Sequence, residues 1–300
     1  MEQMILDTDI GTDVDDALAL ALALKSEEIM LKGVTTAYGH VDYRARVARK
    51  LLRLCDREDV KVYAGIGATL LRKRQLIGYG HEVDEEMLTD ERYNYESMHA
   101  VDFIIDTVLK NPHQITLVCI APMTNIAAAI IREPKVAELV KRIVLMGGVT
   151  RLGDNGVELP FLEYNVKCDP ESASVVFSSK APIYMVGLDV TTKVKLTEKE
   201  QELLAGSDQP LNRELAKLIT RWQRLSGKDW CAMHDPLAVS LLFDPSLVKF
   251  RKMDVQVEYD HRHPSGQTVA VADAQSTIHV GLEVETDKFM DQLMRRLLAN

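Results

Sequence analysis

From the N-terminus to Val186, short apolar runs alternate with longer stretches of helical period. The runs Met4–Asp9, Met30–Thr36, Val60–Ala64, Ile115–Ile120, Arg142–Met146 and Ile183–Val186 have the length and residue types of buried strands. Between them, Asp15–Lys25, Tyr43–Cys55, Ser97–Leu109, Asn125–Ile131 and Glu171–Ser178 read as helices. This alternation predicts an α/β fold with a mainly parallel central sheet flanked by helices. Ligands of such sheets collect at the carboxyl ends of the strands. The acidic turn after the first strand, Thr36-Ala-Tyr-Gly-His40, Ile120-Ala-Pro-Met-Thr-Asn125 and Met146-Gly-Gly148 all follow strand ends and are expected to converge.

Beyond Val186 the pattern loosens. Thr197–Ala205, Leu211–Leu225, Asp235–Phe243 and Asp287–Ala299 read as helices. Met253–Tyr259, Thr268–Val271 and Thr277–Leu282 alternate like antiparallel strands and predict a small extension near the C-terminus. No repeat, low-complexity tract or linker interrupts the chain, so residues 1–300 are expected to form a single domain. Residues 65–94, rich in glycine and charge, read as a mobile flap or a surface excursion.

Composition narrows the function. The 300 residues are 46% apolar and 27% charged, as in an ordinary globular protein. A net charge of −9 argues against a nucleic-acid partner, which needs a basic surface. No apolar run approaches the roughly 18 residues of a membrane span. The first residues enter a strand directly and lack the features of a secretory leader, so the cytoplasm is the expected compartment. Cys55, Cys119, Cys168 and Cys231 are widely spaced and read as small core residues.

Chemistry concentrates in one turn. Asp7, Asp9, Asp13, Asp15 and Asp16 fall within ten residues, between an apolar strand and the run Ala17–Leu24. One or two could cap the following helix, but capping does not account for all five. Such crowding calls for a counter-charge, and a divalent cation held by oxygen ligands supplies one. An EF-hand is excluded, because counting from Asp7 puts Leu18 where that loop needs a bidentate Glu. A P-loop is excluded by the absence of its Gly-Lys-Ser/Thr.

Two further segments carry candidate chemistry. His234-Asp235-Pro236 has the form of a helix start, and it also fits a pocket where one residue moves protons and the next binds metal. Glu163-Tyr164-Asn165 lies in a long loop, where an extended chain would put Glu163 and Asn165 on one face, suited to sugar hydroxyls. A solvated loop would look the same. Asp169-Pro170 reads as another helix start.

The acidic run, Met123-Thr124-Asn125, Met146-Gly147-Gly148, Glu163-Tyr164-Asn165, Gly187-Leu188-Asp189 and His234-Asp235-Pro236 occur in an order and spacing that resembles the inosine-uridine nucleoside hydrolase family over essentially the whole chain. Members hydrolyse the N-glycosidic bond of ribonucleosides to base and ribose, carry a bound calcium ion (Ca2+) and commonly form homodimers or homotetramers. Carried over by position, the resemblance implies Asp9 as a metal ligand that takes a proton from the attacking water. It implies Asp16, the Ile120 carbonyl and Asp235 as the other metal ligands. Asp15 and Asn165 would bind ribose hydroxyls, Glu163 and Asn155 the far side of the ribose, and Met146 would pack against it. His234 would assist departure of the base, as suits a His near its unperturbed pKa.

The chain departs from the family pattern at two positions. Many members have a shorter Asp-Pro-Gly-x-Asp-Asp turn, and Asp13 has no assigned role in the longer one. His40 stands where many members place a ribose-binding Asn. Two rivals stand against this reading. Asp7-Thr-Asp9 after a strand also suits a magnesium-dependent phosphohydrolase of the haloacid-dehalogenase type, although Gly11 then stands where Thr or Val is usual. A calcium- or nucleoside-binding protein without catalysis is the other, and His40 is its only support.

Overall fold

The first strand, β1 (Glu2–Thr8), is buried from Met4 onward, because successive side chains enter apolar layers on opposite sides of it. Met4 and Leu6 join the layer containing the Asp15–Leu24 helix, and Ile5 joins the layer containing Phe103, Ile104 and Ile126. The same division recurs in β2 (Ile29–Thr36), β3 (Val62–Ala64), β4 (Ile115–Cys119), β5 (Arg142–Met146) and β6 (Ile183–Val186). In β4, for example, Val118 lies on one side and Leu117 and Cys119 on the other. This computed structural model describes residues 1–76, 85–153, 156, 158–260 and 264–299.

After β6 come β7 (Lys195–Leu196), β8 (Cys231–Ala232), β9 (Val248–Val257), β10 (Thr268–Ala272) and β11 (Ile278–Val284). Among the described residues the main sheet runs β10-β9-β11-β6-β5-β4-β1-β2-β3, with β7 and β8 forming a separate antiparallel pair. The pairs from β3 through β6 are parallel, as the strand–helix alternation predicts. An antiparallel extension is present, β9 pairing with both β10 and β11. The segment expected as Thr277–Leu282 corrects that picture in part: β11 pairs antiparallel with β9 but parallel with β6. Its alternation reports one well-covered face and does not encode strand direction.

Strand order reverses between β1 and β4. The crossovers after β1 and β2 lead away in one direction, and those after β4 and β5 in the other, so the loops beyond β1 and β4 part and leave a crevice. Asp9 and Ile120 stand immediately past those two strand ends. The Asp15–Leu24 helix, almost wholly alanine and leucine, packs against the His234–Ser240 helix. Both helices start at the crevice, so a segment remote in sequence meets the acidic turn there.

A buried polar network fixes the floor of the crevice. The Asn125 amide donates to Asp7 Oδ1 at 2.8 Å and to the Thr36 carbonyl at 3.0 Å, and accepts from the Ile66 N–H at 2.9 Å. The Thr35 hydroxyl donates to the same Asp7 oxygen at 2.6 Å. Residues 65–76 are also strapped to the start of the Pro170–Phe177 helix. The Leu70 N–H donates to Asp169, and Arg74 pairs with Glu171 through two hydrogen bonds at 2.8 and 3.0 Å. Residues 77–84 of the expected flap lie outside the described residues. Asp169 caps the Pro170–Phe177 helix through the Ser172 N–H, as its position before proline predicts.

Asn125→Ala would leave the Asp7 carboxyl with one donor fewer and two backbone groups, the Thr36 carbonyl and the Ile66 N–H, less well paired. We expect a loss of about 2–4 kcal/mol of unfolding free energy, read from urea denaturation at unchanged m-value.

Candidate active site

The acidic turn owes its shape to backbone freedom and to a buried cation. Gly11 takes φ +107°, a conformation that L-residues rarely adopt, and so lets the chain reverse after Asp9. Arg44, on the Val41–Leu54 helix, is 2% exposed and reaches beneath the turn. Its Nη1 donates to the carbonyls of Asp9 and Ile10, and its Nε donates to the Tyr38 carbonyl at 2.6 Å. The helix that follows has Val14 as its cap residue, whose side chain makes no hydrogen bond, and the Asp13 carboxylate accepts the Val14 N–H at 2.8 Å at its start.

Asp15, Asp16 and Asp235 converge. Each offers a carboxylate oxygen within 4.8 Å of the others, and all three are buried. The Thr8 hydroxyl donates to Asp16 at 2.5 Å, and the Asp235 N–H donates to Asp15 at 3.2 Å. Asp235 begins the second helix beside His234, where Met233 is the cap residue with no side-chain bond, so its carboxylate remains free for the crevice. Strands β7 and β8 hold this junction, with the Met233 N–H on the Val194 carbonyl at 2.9 Å.

These residues line a cavity of about 350 Å³. Asp9, Asp13, Asp15, Asp16, Ile120, Met146, Glu163, Asn165, His234 and Asp235 all contribute to its wall, so most of the residues expected from sequence meet in one place. Thr12, Leu162, Tyr164 and Leu188 complete the lining. His40 is exposed, stacks on Tyr43 with ring centroids 5.0 Å apart, and is not among the lining residues. Asn155 lies outside the described residues.

Glu163 and Asn165 do not sit in an extended loop. Glu163 caps the short Tyr164–Cys168 helix, its carboxylate accepting the N–H groups of Asn165, Val166 and Gly148. Gly148, at φ +75°, turns its N–H toward Glu163, and a Cβ there would lie 2.5 Å from Met185 Cε. Asn165 stands in the first turn of that helix and donates to the Ile120 and Met146 carbonyls at 3.3 and 3.1 Å. Asp189 fixes the neighbouring loop, accepting from the Thr150, Leu152 and Gly153 N–H groups and from the Thr150 hydroxyl.

The electrostatics follow from burial. Desolvation pushes the Asp9 and Asp13 carboxyls up to about 6; the Arg44 guanidinium draws Asp9 back and Asp13 repels it. Burial, then mutual repulsion, drives Asp15, Asp16 and Asp235 well above the carboxylate range. Burial also raises Glu163, against the hydrogen bonds it accepts. Three close carboxylates, further carboxylates at their side and the Ile120 carbonyl nearby form an all-oxygen donor set that fits a hard divalent cation. His234 departs from its expected ordinary pKa. Burial, with the Lys228 ammonium adding to it, lowers the imidazole to about 4 and holds it neutral, with Nδ1 2.7 Å from the Thr191 hydroxyl.

Thr8, Arg44, Thr191 and Asn125 serve this site without having been assigned to it from sequence. For Thr8 a signal was present, since it lies between two aspartates at a strand end.

A parallel α/β sheet with an acidic crevice at its point of reversal defines a hydrolase-like site, and comparison with known proteins identifies the class. Residues 4–291 match the inosine-uridine preferring nucleoside hydrolase family, and the chain belongs to that family. It is 30% identical over 308 residues to a pyrimidine-specific ribonucleoside hydrolase, RihA, of Enterobacter sp. (strain 638), covering 98% of this chain and 97% of the relative. Its fold superposes on the plant nucleoside hydrolase PpNRh1 with a TM-score of 0.88 at 29% identity, over 100% of this chain and 99% of the other. A purine-preferring ribonucleoside hydrolase from Gardnerella vaginalis gives 0.86 at 31% identity, over 99% and 98% of the two chains. The protein is accordingly an enzyme, a hydrolase of N-glycosyl compounds. The phosphohydrolase and the non-catalytic alternatives fall away. Among the described residues no helix is long and apolar enough to cross a membrane.

A ligand that binds only the folded protein adds about 2.7 kcal/mol at one hundred times its dissociation constant. We expect calcium at that level to raise the thermal midpoint by several degrees, and Asp235→Asn to abolish most of the rise, as followed by scanning calorimetry.

Proposed function

We propose that this enzyme cleaves ribonucleosides for nucleoside salvage, with Asp9 as general base, His234 as donor to the leaving base and calcium as its resident cation. The observation that carries the reading is the meeting of Asp235 with Asp15 and Asp16 in a cavity that also contains Asp9, His234, Glu163 and Asn165. Asp9, Asp16, Asp235 and the Ile120 carbonyl would hold the ion. When bound, calcium neutralises the clustered carboxylates and makes a nearby water more acidic.

Asp9 takes the proton of the attacking water, a task suited to a buried carboxylate whose basicity is raised. Asp15 and Asn165 orient the ribose hydroxyls, Glu163 and Asn155 hold its far side, and Met146 packs against the sugar. Glu163 suits this because its three backbone donors fix its direction. As the C–N bond breaks, positive charge grows on the ribose, and the surrounding carboxylates favour that charge more than the neutral substrate. This reading gives no role to His40, which is exposed and is not among the cavity's lining residues.

His234 acts as a neutral donor. In the tautomer this role requires, Nδ1 accepts from the Thr191 hydroxyl 2.7 Å away and the proton resides on Nε2, from which it is offered to the departing base. The base thus leaves with its developing negative charge hydrogen-bonded.

Two sets of measurements test the reading. Purified enzyme supplied with calcium should release free base from at least one of inosine, uridine, cytidine and adenosine, and Asp9→Ala should lower kcat about 10²–10⁴-fold with the fold intact by circular dichroism. Binding of all four nucleosides without turnover would overturn it. His234→Ala should cost more on a natural nucleoside with a poor leaving base than on an activated aryl riboside; equal losses on both would remove the donor role.

A further inference from the structure

We propose that Arg44 is the resident counter-charge of the acidic turn, the side chain that keeps the carboxylate cluster folded whenever the divalent cation is absent. This rests on the reading that such a cation occupies the cluster. Arg44 is among the largest fully buried side chains of the protein, and a buried guanidinium is costly unless something compensates its charge. None of its hydrogen bonds goes to a carboxylate: Nη1 serves the Asp9 and Ile10 carbonyls and Nε serves the Tyr38 carbonyl. Nη2 is buried with no hydrogen-bond partner at all. Neutral carbonyls do not balance the charge. The balance comes from Asp9 and Asp16, the acids of the turn that feel its charge, held across the backbone that Arg44 itself grips.

The arrangement divides labour between two cations. The divalent ion would be held where Asp15, Asp16 and Asp235 offer their oxygens. Arg44 lies beneath the turn, on the Asp9 and Ile10 carbonyls, and cannot leave. With the ion bound, two positive centres face the same acids and Arg44 is partly redundant. With the ion gone, Arg44 is the cation that remains against their mutual repulsion. A residue that only braced the backbone would matter equally in both states. A counter-charge matters more in the ion-free state, and this asymmetry separates the two roles.

The experiment is thermal unfolding of the full chain with excess chelator and with saturating calcium, for wild type, Arg44→Lys, Arg44→Met and Arg44→Met combined with Asp16→Asn. In chelator, Arg44→Met should lose roughly 5–10 °C of thermal midpoint, and in calcium less than half of that. Arg44→Lys, which keeps the charge but not the planar fork, should retain most of the chelator midpoint. Removing one acid through Asp16→Asn should restore part of what Arg44→Met loses in chelator. Equal losses in chelator and calcium, or Arg44→Lys falling as far as Arg44→Met, would overturn the proposal and leave Arg44 a backbone brace. A wild type whose midpoint does not respond to calcium would instead refute the cation-site reading on which the proposal depends. Should Arg44→Met fail to fold in chelator while folding in calcium, the asymmetry is confirmed; failure in both, with Arg44→Lys equally affected, counts against it.

Discussion

Like charges buried together at the end of a parallel strand are the constraint from which the rest of this molecule follows. Five aspartates, Asp9, Asp13, Asp15, Asp16 and Asp235, and Glu163 line one cavity, in a place where water reaches most of them poorly. Carboxylates so placed either take up protons or acquire a counter-charge. The fold answers from every side: Thr8 donates to Asp16, the Asp235 N–H donates to Asp15, and two helices begin at the cavity and turn their positive ends toward it. Arg44 brings a full positive charge beneath the turn. A sheet whose order reverses beside β1 opens the space in which these donors approach from several directions.

Much of this was legible in the sequence because it is local. The strand–helix alternation is written in side-chain period, and the acidic run states its own chemistry. Elements whose conformation depends on distant partners were not legible. Glu163 and Asn165 read as loop residues, yet Glu163 nucleates a helix because its carboxylate gathers three N–H groups, one of them from Gly148 after β5. The direction of β11 depends on which neighbour it meets, and alternation in that segment is silent on it.

Arg44 shows the limit most clearly. The Val41–Leu54 helix carries Arg44, Arg46, Arg49, Lys50 and Arg53, and in sequence any of them could belong to a solvated basic face. Only the packing of that helix on β2, β3 and the Asp15–Leu24 helix decides that Arg44 turns inward and Arg46 reaches the Met87 and Asp90 carbonyls instead. His234 is a parallel case. Its neighbourhood with Asp235 was visible, but its neutrality comes from burial and from Lys228, six positions earlier in the chain.

The length of the acidic turn now has a physical account. A turn with extra residues between Asp9 and Asp15 must direct more carbonyl groups somewhere, and those of Asp9 and Ile10 point into the protein, away from water. Arg44 satisfies both with one nitrogen and a third carbonyl, that of Tyr38, with another. Gly11 supplies the reversal, at a point where an added Cβ would lie 3.8 Å from the Arg44 Nη1. The longer turn, its glycine and its buried arginine therefore form one unit, and Thr12 and Asp13 are the residues that this unit carries into the cavity wall.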